Sequence, residues 1–172
     1  MAIEPDTKDW TWVLQRPCAD CGFDADAVRT DEFAELLRST TERWSAVLRR
    51  PDAAQRQQPD VWSALEYGAH VRDVHRIFNE RVRSMLTEAV PTFANWDQDA
   101  TALAERYGEQ DPVEVEVALI DAAGEIAGRY AAVDGQEWER SGLRSNGSAF
   151  TVASIGRYHL HDVVHHLWDV RG

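Results

Sequence analysis

Apolar residues recur at intervals of three and four positions in four long stretches of the chain, the spacing that places them on one face of an α-helix. The first stretch shows this clearly, from Phe33 through Trp44 to Leu48. We therefore predict four helices, over about residues 30–50, 63–88, 112–133 and from 148 or 151 to 170. Four long helices and no convincing strand favour an all-α protein, folded as an antiparallel four-helix bundle.

Capping signals mark where these helices begin. Ser63 is followed three residues later by Glu66, which is the pattern of a capping box. Asp111 and Pro112 supply a cap and a proline at the first position of the third helix. Alternation over residues 113–117 would also suit a strand, but the helical spacing that follows continues for too long to be one.

The segments between and before the helices are polar or irregular. Residues 1–29 lack a helical period and include the Cys18–Cys21 pair, so we predict an irregular N-terminal arm. This arm would lie over one bundle domain, residues 30–172. Residues 91–110 are expected to form a long connection, and Asn146-Gly147 marks a turn-rich loop before the last helix.

Composition and charge narrow the class of protein. A chain of 172 residues with 44% hydrophobic residues suits one domain with a substantial core. Its seven tryptophans are spread along the chain, which favours a distributed packing role over a single binding patch. The net charge of −12 would repel phosphate backbones and anionic membranes, so nucleic acid is not an expected partner. No signal-peptide pattern or membrane span stands out, and we expect a soluble cytoplasmic protein.

The last predicted helix concentrates ligand-type side chains, because four of the six histidines lie within eight residues. His161 and His165 are one helical turn apart and can chelate one divalent ion. His70, at the edge of the apolar stripe of the second predicted helix, is the candidate third ligand. Asp162 and His166 have the same spacing and are the second choice of ligand pair. Without a metal, this segment would be the solvated face of a surface helix.

Two segments resemble the DinB-like superfamily, four-helix metalloproteins that include bacterial thiol S-transferases and mycothiol-dependent maleylpyruvate isomerases. They are Trp62–His70 and His161–His166. The resemblance implies one metal ligand from the second helix and two from the last, which here would be His70, His161 and His165. It also implies zinc or nickel as the metal, with water or a thiol such as mycothiol or bacillithiol in an open position.

The resemblance covers residues 31–170, with departures at both ends. Many family members follow the histidines with Gly-Gln, whereas this chain has Leu167-Trp168-Asp169, which points to a subgroup with a different substrate. Arg157, Tyr158 and Trp168 border the predicted ligand pair and would orient the thiol or line its pocket.

Cys18 and Cys21 form one CxxC followed by Gly22, and the chain has no further cysteine. A structural zinc site would normally need two more sulfur or imidazole ligands. Two reduced thiols in a turn, a thiol–disulfide switch and a weak metal site are all compatible with the pair. The pair lies outside the common core of the family, and we do not place it in the active site.

Three functions are compatible with these features. The leading hypothesis is a metal-dependent thiol S-transferase that acts on an electrophilic small molecule in detoxification. The second is a metal-dependent hydrolase with Asp162, Asp73 or Glu66 as general base. The third is a non-catalytic stress-response protein for binding or dimerisation. The resemblance to the family is also compatible with a homodimer formed through helix faces.

Overall fold

The computed structural model describes residues 9–172, so residues 1–8 of the predicted arm lie outside the described part of the chain. All four predicted helices are present, and a short additional helix, α3, lies between the second and the third. The helices are α1 (Phe33–Leu48), α2 (Ala64–Thr87), α3 (Gln98–Ala104), α4 (Pro112–Ala131) and α5 (Val152–Asp169). The predicted four-helix bundle is therefore confirmed.

The helices begin at capping side chains. The Ser63 hydroxyl accepts from the backbone N–H of Glu66 at 3.2 Å, and the Glu66 carboxylate accepts from the N–H of Ser63 at 2.8 Å. Asp111 caps α4, and Thr151 caps α5 by accepting from the N–H of Ser154 at 3.1 Å. These bonds satisfy N–H groups that have no partner within the helix. They fix the start of α2 and α5, the two helices that carry the histidines.

Each of the four long helices packs mainly against two others. α4 contacts both α1 and α2 on one side of the bundle, and α5 contacts the same two helices on the other side. α1 and α2 are consecutive in the chain, yet they lie across a diagonal of the bundle. Fully buried core side chains come from each long helix: Leu37, Trp44, Val71, Leu119 and Leu160. None of the described helices has the length and apolar character needed to cross a membrane.

The sequence shows no convincing strand, but residues 9–172 contain three short ones. They are β1 (Thr92–Phe93), β2 (Ser141–Arg144) and β3 (Ala149–Thr151). β2 pairs parallel with β1 and antiparallel with β3. The loop predicted at Asn146-Gly147 closes the β2–β3 hairpin, and Gly147 has a φ of +94°, which favours glycine. Strands this short do not produce a detectable alternating pattern.

The described part of the N-terminal arm lies against α5. It contains 3-10 turns at Trp10–Leu14 and Ala25–Ala27, and both contact α5. A further 3-10 turn, Thr30–Glu32, leads into α1. Phe23 and Ala25 are buried in the same core as the bundle helices. Because arm and bundle share one core, the structure marks no boundary at residue 30, and the predicted division into arm and bundle domain remains a prediction.

Candidate metal centres

α5 presents two pairs of ligand-type side chains, and the members of each pair are one helical turn apart. One pair is His161 and His165, and the other is Asp162 and His166. Successive residues of a helix are rotated by about 100°, so the two pairs point in different directions. The first pair lies against the N-terminal arm and the second lies against α2. Each pair meets further potential ligands there.

The α2–α5 group consists of His70, Asp162 and His166, whose ligand atoms lie within 4.8 Å of one another. Nε2 of His70 is 3.6 Å from Oδ1 of Asp162, and Nε2 of His166 is 3.4 Å from the same oxygen. Bonds of about 2.0–2.2 Å to one tetrahedral ion place nitrogen and oxygen ligands about 3.3–3.6 Å apart. The spacing in this group therefore suits a single divalent ion.

Several polar atoms of the α2–α5 group have no hydrogen-bond partner among the described residues. They are both ring nitrogens of His70 and Oδ1 of Asp162, and His70 is fully buried. Buried polar atoms in folded proteins almost always have a partner. A cation bound by these atoms would supply it, so the group fits a divalent metal.

Asp169 orients the third side chain of the group. Nδ1 of His166 donates to Oδ2 of Asp169 at 2.8 Å. This bond assigns the proton of the neutral ring to Nδ1 and leaves the lone pair of Nε2 directed at Asp162. Metal-binding histidines are commonly held by an outer carboxylate in this way.

Aromatic rings cover the α2–α5 group. Trp96 stacks on His70 with ring centroids 5.2 Å apart and planes 4° apart, and Trp62 contacts the same imidazole at 5.2 Å. Tyr67 contacts His166 at 5.1 Å. The spread of tryptophans along the sequence predicted a distributed packing role, yet the fold brings two of them to one histidine. They limit the access of water to it.

Burial and charge set the protonation of the α2–α5 group. Burial lowers the pKa of His70, and the carboxylate of Asp162 offsets this only in part. Burial raises the pKa of Asp162, but the neighbouring imidazoles of His70 and His166 outweigh it and hold the pKa below its usual range. A neutral imidazole and an ionised carboxylate are the forms that bind metal.

The arm–α5 group consists of four side chains whose ligand atoms also lie within 4.8 Å of one another: Cys18, Cys21, His161 and His165. Sγ of Cys18 is 3.6 Å from Nδ1 of His165. Burial raises the pKa of Cys21 to about 11 and lowers that of His161 to about 4. Both side chains are therefore neutral near pH 7 when no cation is bound.

The predicted ligand set is divided between these two groups. His70 lies with Asp162 and His166, the second-choice pair, and His161 and His165 lie with the cysteines. The sequence could not separate the two pairs, because both have the same spacing and differ only by a rotation of about 100° on the helix. The position of α2 relative to α5 decides which pair His70 meets.

The residues predicted to border the site occupy different places. Arg157 donates to the backbone carbonyl of Val28 at 3.1 Å, in the arm. Tyr158 packs against aromatic side chains of α2 and β3. Trp168 is 51% exposed, and its ring lies 5.6 Å from that of His165. Of these three side chains, Trp168 is the one with a ring contact to a histidine of the arm–α5 group.

The two other acids considered as general base are held in ion pairs. Glu66 accepts from Nε of Arg56 at 2.8 Å, in addition to capping α2. Asp73 accepts two bonds from Arg72, at 2.9 and 2.8 Å, and one from the hydroxyl of Tyr107 at 2.6 Å. Both carboxylates have positively charged or hydrogen-bonding partners that stabilise the ionised form.

Comparison with solved structures identifies a protein of the same architecture. YfiT from Bacillus subtilis superimposes with a TM-score of 0.72 over 82% of this chain and 85% of its own, at 16% sequence identity. The fold is that of YfiT. YfiT is described as a probable metal-dependent hydrolase with an unusual four-helix bundle topology. A scan against known protein families and a search of curated proteins give no match for this chain.

Proposed function

We propose that this protein is a metal-dependent enzyme of the DinB-like type, with its catalytic ion held by the α2–α5 group. One observation carries the proposal. The buried ring nitrogens of His70 and the Oδ1 of Asp162 have no hydrogen-bond partner among the described residues, and Nε2 of His166 lies 3.4 Å from that oxygen. Two imidazoles and one carboxylate form a donor set used in catalytic zinc sites, and imidazole also suits nickel. The resemblance of the sequence to the DinB-like superfamily and the fold shared with YfiT support the same proposal.

Three protein ligands leave a position open for a small molecule. A divalent ion in such a site lowers the pKa of a thiol or water so that a nucleophile is present near neutral pH. His70 and Asp162 would hold the ion from two different helices, and Asp169 fixes the ring of His166. Trp62, which contacts His70, also lines a surface groove of about 490 Å³.

We favour a thiol S-transferase, which would use mycothiol or bacillithiol on an electrophilic small molecule. The engagement of Glu66 and Asp73 in ion pairs supports this reaction, because neither carboxylate is free to take a proton from water. A thiol coordinated by the ion would have a lowered pKa and would release its proton to solvent, without a carboxylate as base. The aromatic rings of Trp62 and Trp96 suit a reaction that excludes water.

Hydrolysis is the second candidate reaction, favoured by the description of YfiT as a probable metal-dependent hydrolase. In this reaction Asp162 would serve as a metal ligand and not as the general base that the sequence analysis considered. The two reactions share the same ion and the same three side chains, so one set of variants tests both.

The test is metal analysis of the untagged protein and of His70→Ala, Asp162→Asn and His166→Ala, followed by two assays. One assay supplies mycothiol or bacillithiol with a chromogenic electrophile, and the other supplies chromogenic esters and amides without a thiol. We expect each variant to lose one ion per chain. Activity in the productive assay should fall more than about 100-fold, because changing even an outer-shell partner costs about 10- to 100-fold.

His75→Gln is the matched control, since His75 is a fully buried histidine of α2 that lies outside both metal groups. It should keep the ion and the activity. A parent protein that binds no metal at the α2–α5 group after zinc or nickel is supplied would contradict the proposal and favour a non-catalytic binding protein. Bound metal without turnover in either assay would also favour that function.

A further inference from the structure

We propose that the arm–α5 group is a second metal site, a structural zinc centre with four protein ligands. This site is separate from the proposed catalytic ion and does not depend on it. Its ligands are two thiolates and two imidazoles: Cys18, Cys21, His161 and His165. Two cysteines and two histidines are a common ligand set of structural zinc, and four protein ligands leave no open position for a substrate.

The distances within the group suit zinc. Zinc–sulfur bonds of about 2.3 Å and zinc–nitrogen bonds of about 2.0 Å place sulfur and nitrogen ligands about 3.5 Å apart. Sγ of Cys18 and Nδ1 of His165 are 3.6 Å apart. The other ligand atoms lie within 4.8 Å of these and of one another. Rotation of the side chains would bring these atoms into tetrahedral positions around one ion.

The cysteines lie on a tight turn that directs both thiols toward α5. The backbone N–H of Gly22 donates to the carbonyl of Cys18 at 3.0 Å, and the N–H of Cys18 donates to the carbonyl of Phe23 at 2.9 Å. Gly22 has a φ of +74°, in the left-handed region that glycine adopts without strain. The CxxCG pattern of the sequence therefore encodes the geometry of a metal-binding turn, in which two cysteines three residues apart face one point.

A buried nitrogen without a partner points to a ligand in this group. His161 is only 3% exposed, and its Nε2 has no hydrogen-bond partner among the described residues. Cys18 is almost fully buried as well. Leaving such an imidazole nitrogen unpaired costs free energy, and thiols are weak hydrogen-bond donors. A zinc ion would pair with all four side chains at once.

Aromatic rings close the site from the outside. The ring of Trp10 lies 5.7 Å from that of His161 and 5.2 Å from that of His165, and Phe23 contacts His161 edge-on at 5.8 Å. These contacts come from the arm, whose residues Phe23 and Ala25 also pack in the bundle core. The ion would therefore fasten the arm to α5, as expected for a structural site.

Cobalt substitution tests the site in the intact protein. Co²⁺ reports thiolate ligands by a charge-transfer band in the near ultraviolet, and the α2–α5 group contains no sulfur ligand. We expect the untagged, reduced protein to bind two ions per chain and to show this thiolate band. Cys18→Ser, Cys21→Ser and His161→Asn should each abolish the band and lose one zinc ion per chain.

Control variants separate this site from the catalytic one. Ala19→Ser and Asp20→Asn change exposed residues between the two cysteines and should keep both ions and the thiolate band. His70→Ala should keep the band while losing the other ion. Circular dichroism shows whether each variant is folded. The thiolate band of the unmodified protein tests the site even where a variant does not fold.

The outcomes of the two proposals are distinguishable. One bound ion that is sensitive to Cys18 and not to His70 would support this inference while overturning the proposed catalytic site. Cobalt bound without a thiolate band would overturn this inference. So would a zinc content unchanged in Cys18→Ser, or a Cys18–Cys21 disulfide in the protein as isolated with no zinc bound after reduction.

Discussion

At the scale of single residues, Asp169 connects the two proposed metal sites. Its Oδ2 accepts from Nδ1 of His166 at 2.8 Å, and its Oδ1 lies 3.8 Å from Nε2 of His165. The carboxylate of Asp169 is therefore close to one proposed ligand of each group, His166 and His165. Outer-shell carboxylates set the orientation and basicity of metal-binding imidazoles.

Asp169→Asn is expected to weaken metal binding at the α2–α5 group by about 10- to 100-fold, because the amide no longer fixes the tautomer of His166 as a carboxylate does. Competition with a chromogenic chelator measures the affinity. Asp121→Asn, an exposed acid on α4, should leave it unchanged. An Asp169→Asn protein with the affinity of the parent would show that Asp169 has no part in metal binding.

At the scale of helices, a buried chain of polar side chains joins three of them. Nδ1 of His75 on α2 lies 3.0 Å from Nε2 of His159 on α5, and Nδ1 of His159 lies 3.3 Å from the hydroxyl of Tyr130 on α4. Burial lowers the pKa of His75 to about 3. Both imidazoles are therefore neutral when the bundle is folded near pH 7, since burial also lowers the pKa of His159.

The pH dependence of stability follows from this depressed pKa. An unfolded chain binds a proton at His75 near pH 6.5, whereas the folded chain binds it only near pH 3. The contribution of the neutral His75 ring to the free energy of unfolding is fully present above about pH 6.5. It declines as the pH falls toward 3, by up to about 1.4 kcal/mol per pH unit.

His75→Gln removes the imidazole that binds this proton and retains a side chain able to form a hydrogen bond with His159. We expect the free energy of unfolding to fall less between pH 7 and pH 5 in the variant than in the parent, by about 1–2 kcal/mol. Urea titrations at each pH measure the difference. Equal losses in the two proteins would mean that His75 is already protonated in the folded state at pH 5.

At the scale of the whole molecule, the fold consists of a bundle and an arm that share one core. Phe23 and Ala25 of the arm pack with the bundle, while the cysteines meet α5 at a second point. The proposed structural zinc would therefore stabilise the folded protein as a whole. A ligand that binds only the folded state raises its stability in proportion to the logarithm of its concentration.

Zinc at about 1,000 times its dissociation constant would stabilise the protein by about 4 kcal/mol, which corresponds to a rise in Tm of roughly 8–16 °C for a chain of this length. We expect this rise in His70→Ala, where the arm–α5 group is the remaining site. Adding Cys18→Ser to that variant should abolish it, and adding Ala19→Ser should not. Calorimetry with zinc and with a chelator provides the comparison, and a rise that survives Cys18→Ser would contradict the structural role.

The periodicity of the sequence was sufficient for the bundle, because long amphipathic helices are local features. The apolar positions of α1 and the capping pair Ser63 and Glu66 predict helices that the structure contains. The strands β1–β3 could not be predicted in this way. They have two to four residues each, too few to show an alternating pattern, and they are stabilised by pairing between separate segments of the chain.

That the last helix carries two ligand pairs at helical spacing can be read from the residues alone, since it depends only on their positions and on 3.6 residues per turn. The residues alone also place Cys18 and Cys21 in one turn. The partners of each pair depend on tertiary packing, because His70 is about 90 positions from Asp162 in the chain and Cys18 is 147 positions from His165. Contacts over such separations depend on how α2 and the arm pack on α5, and a rotation of α5 by about 100° would turn His161 and His165 toward α2 in place of Asp162 and His166.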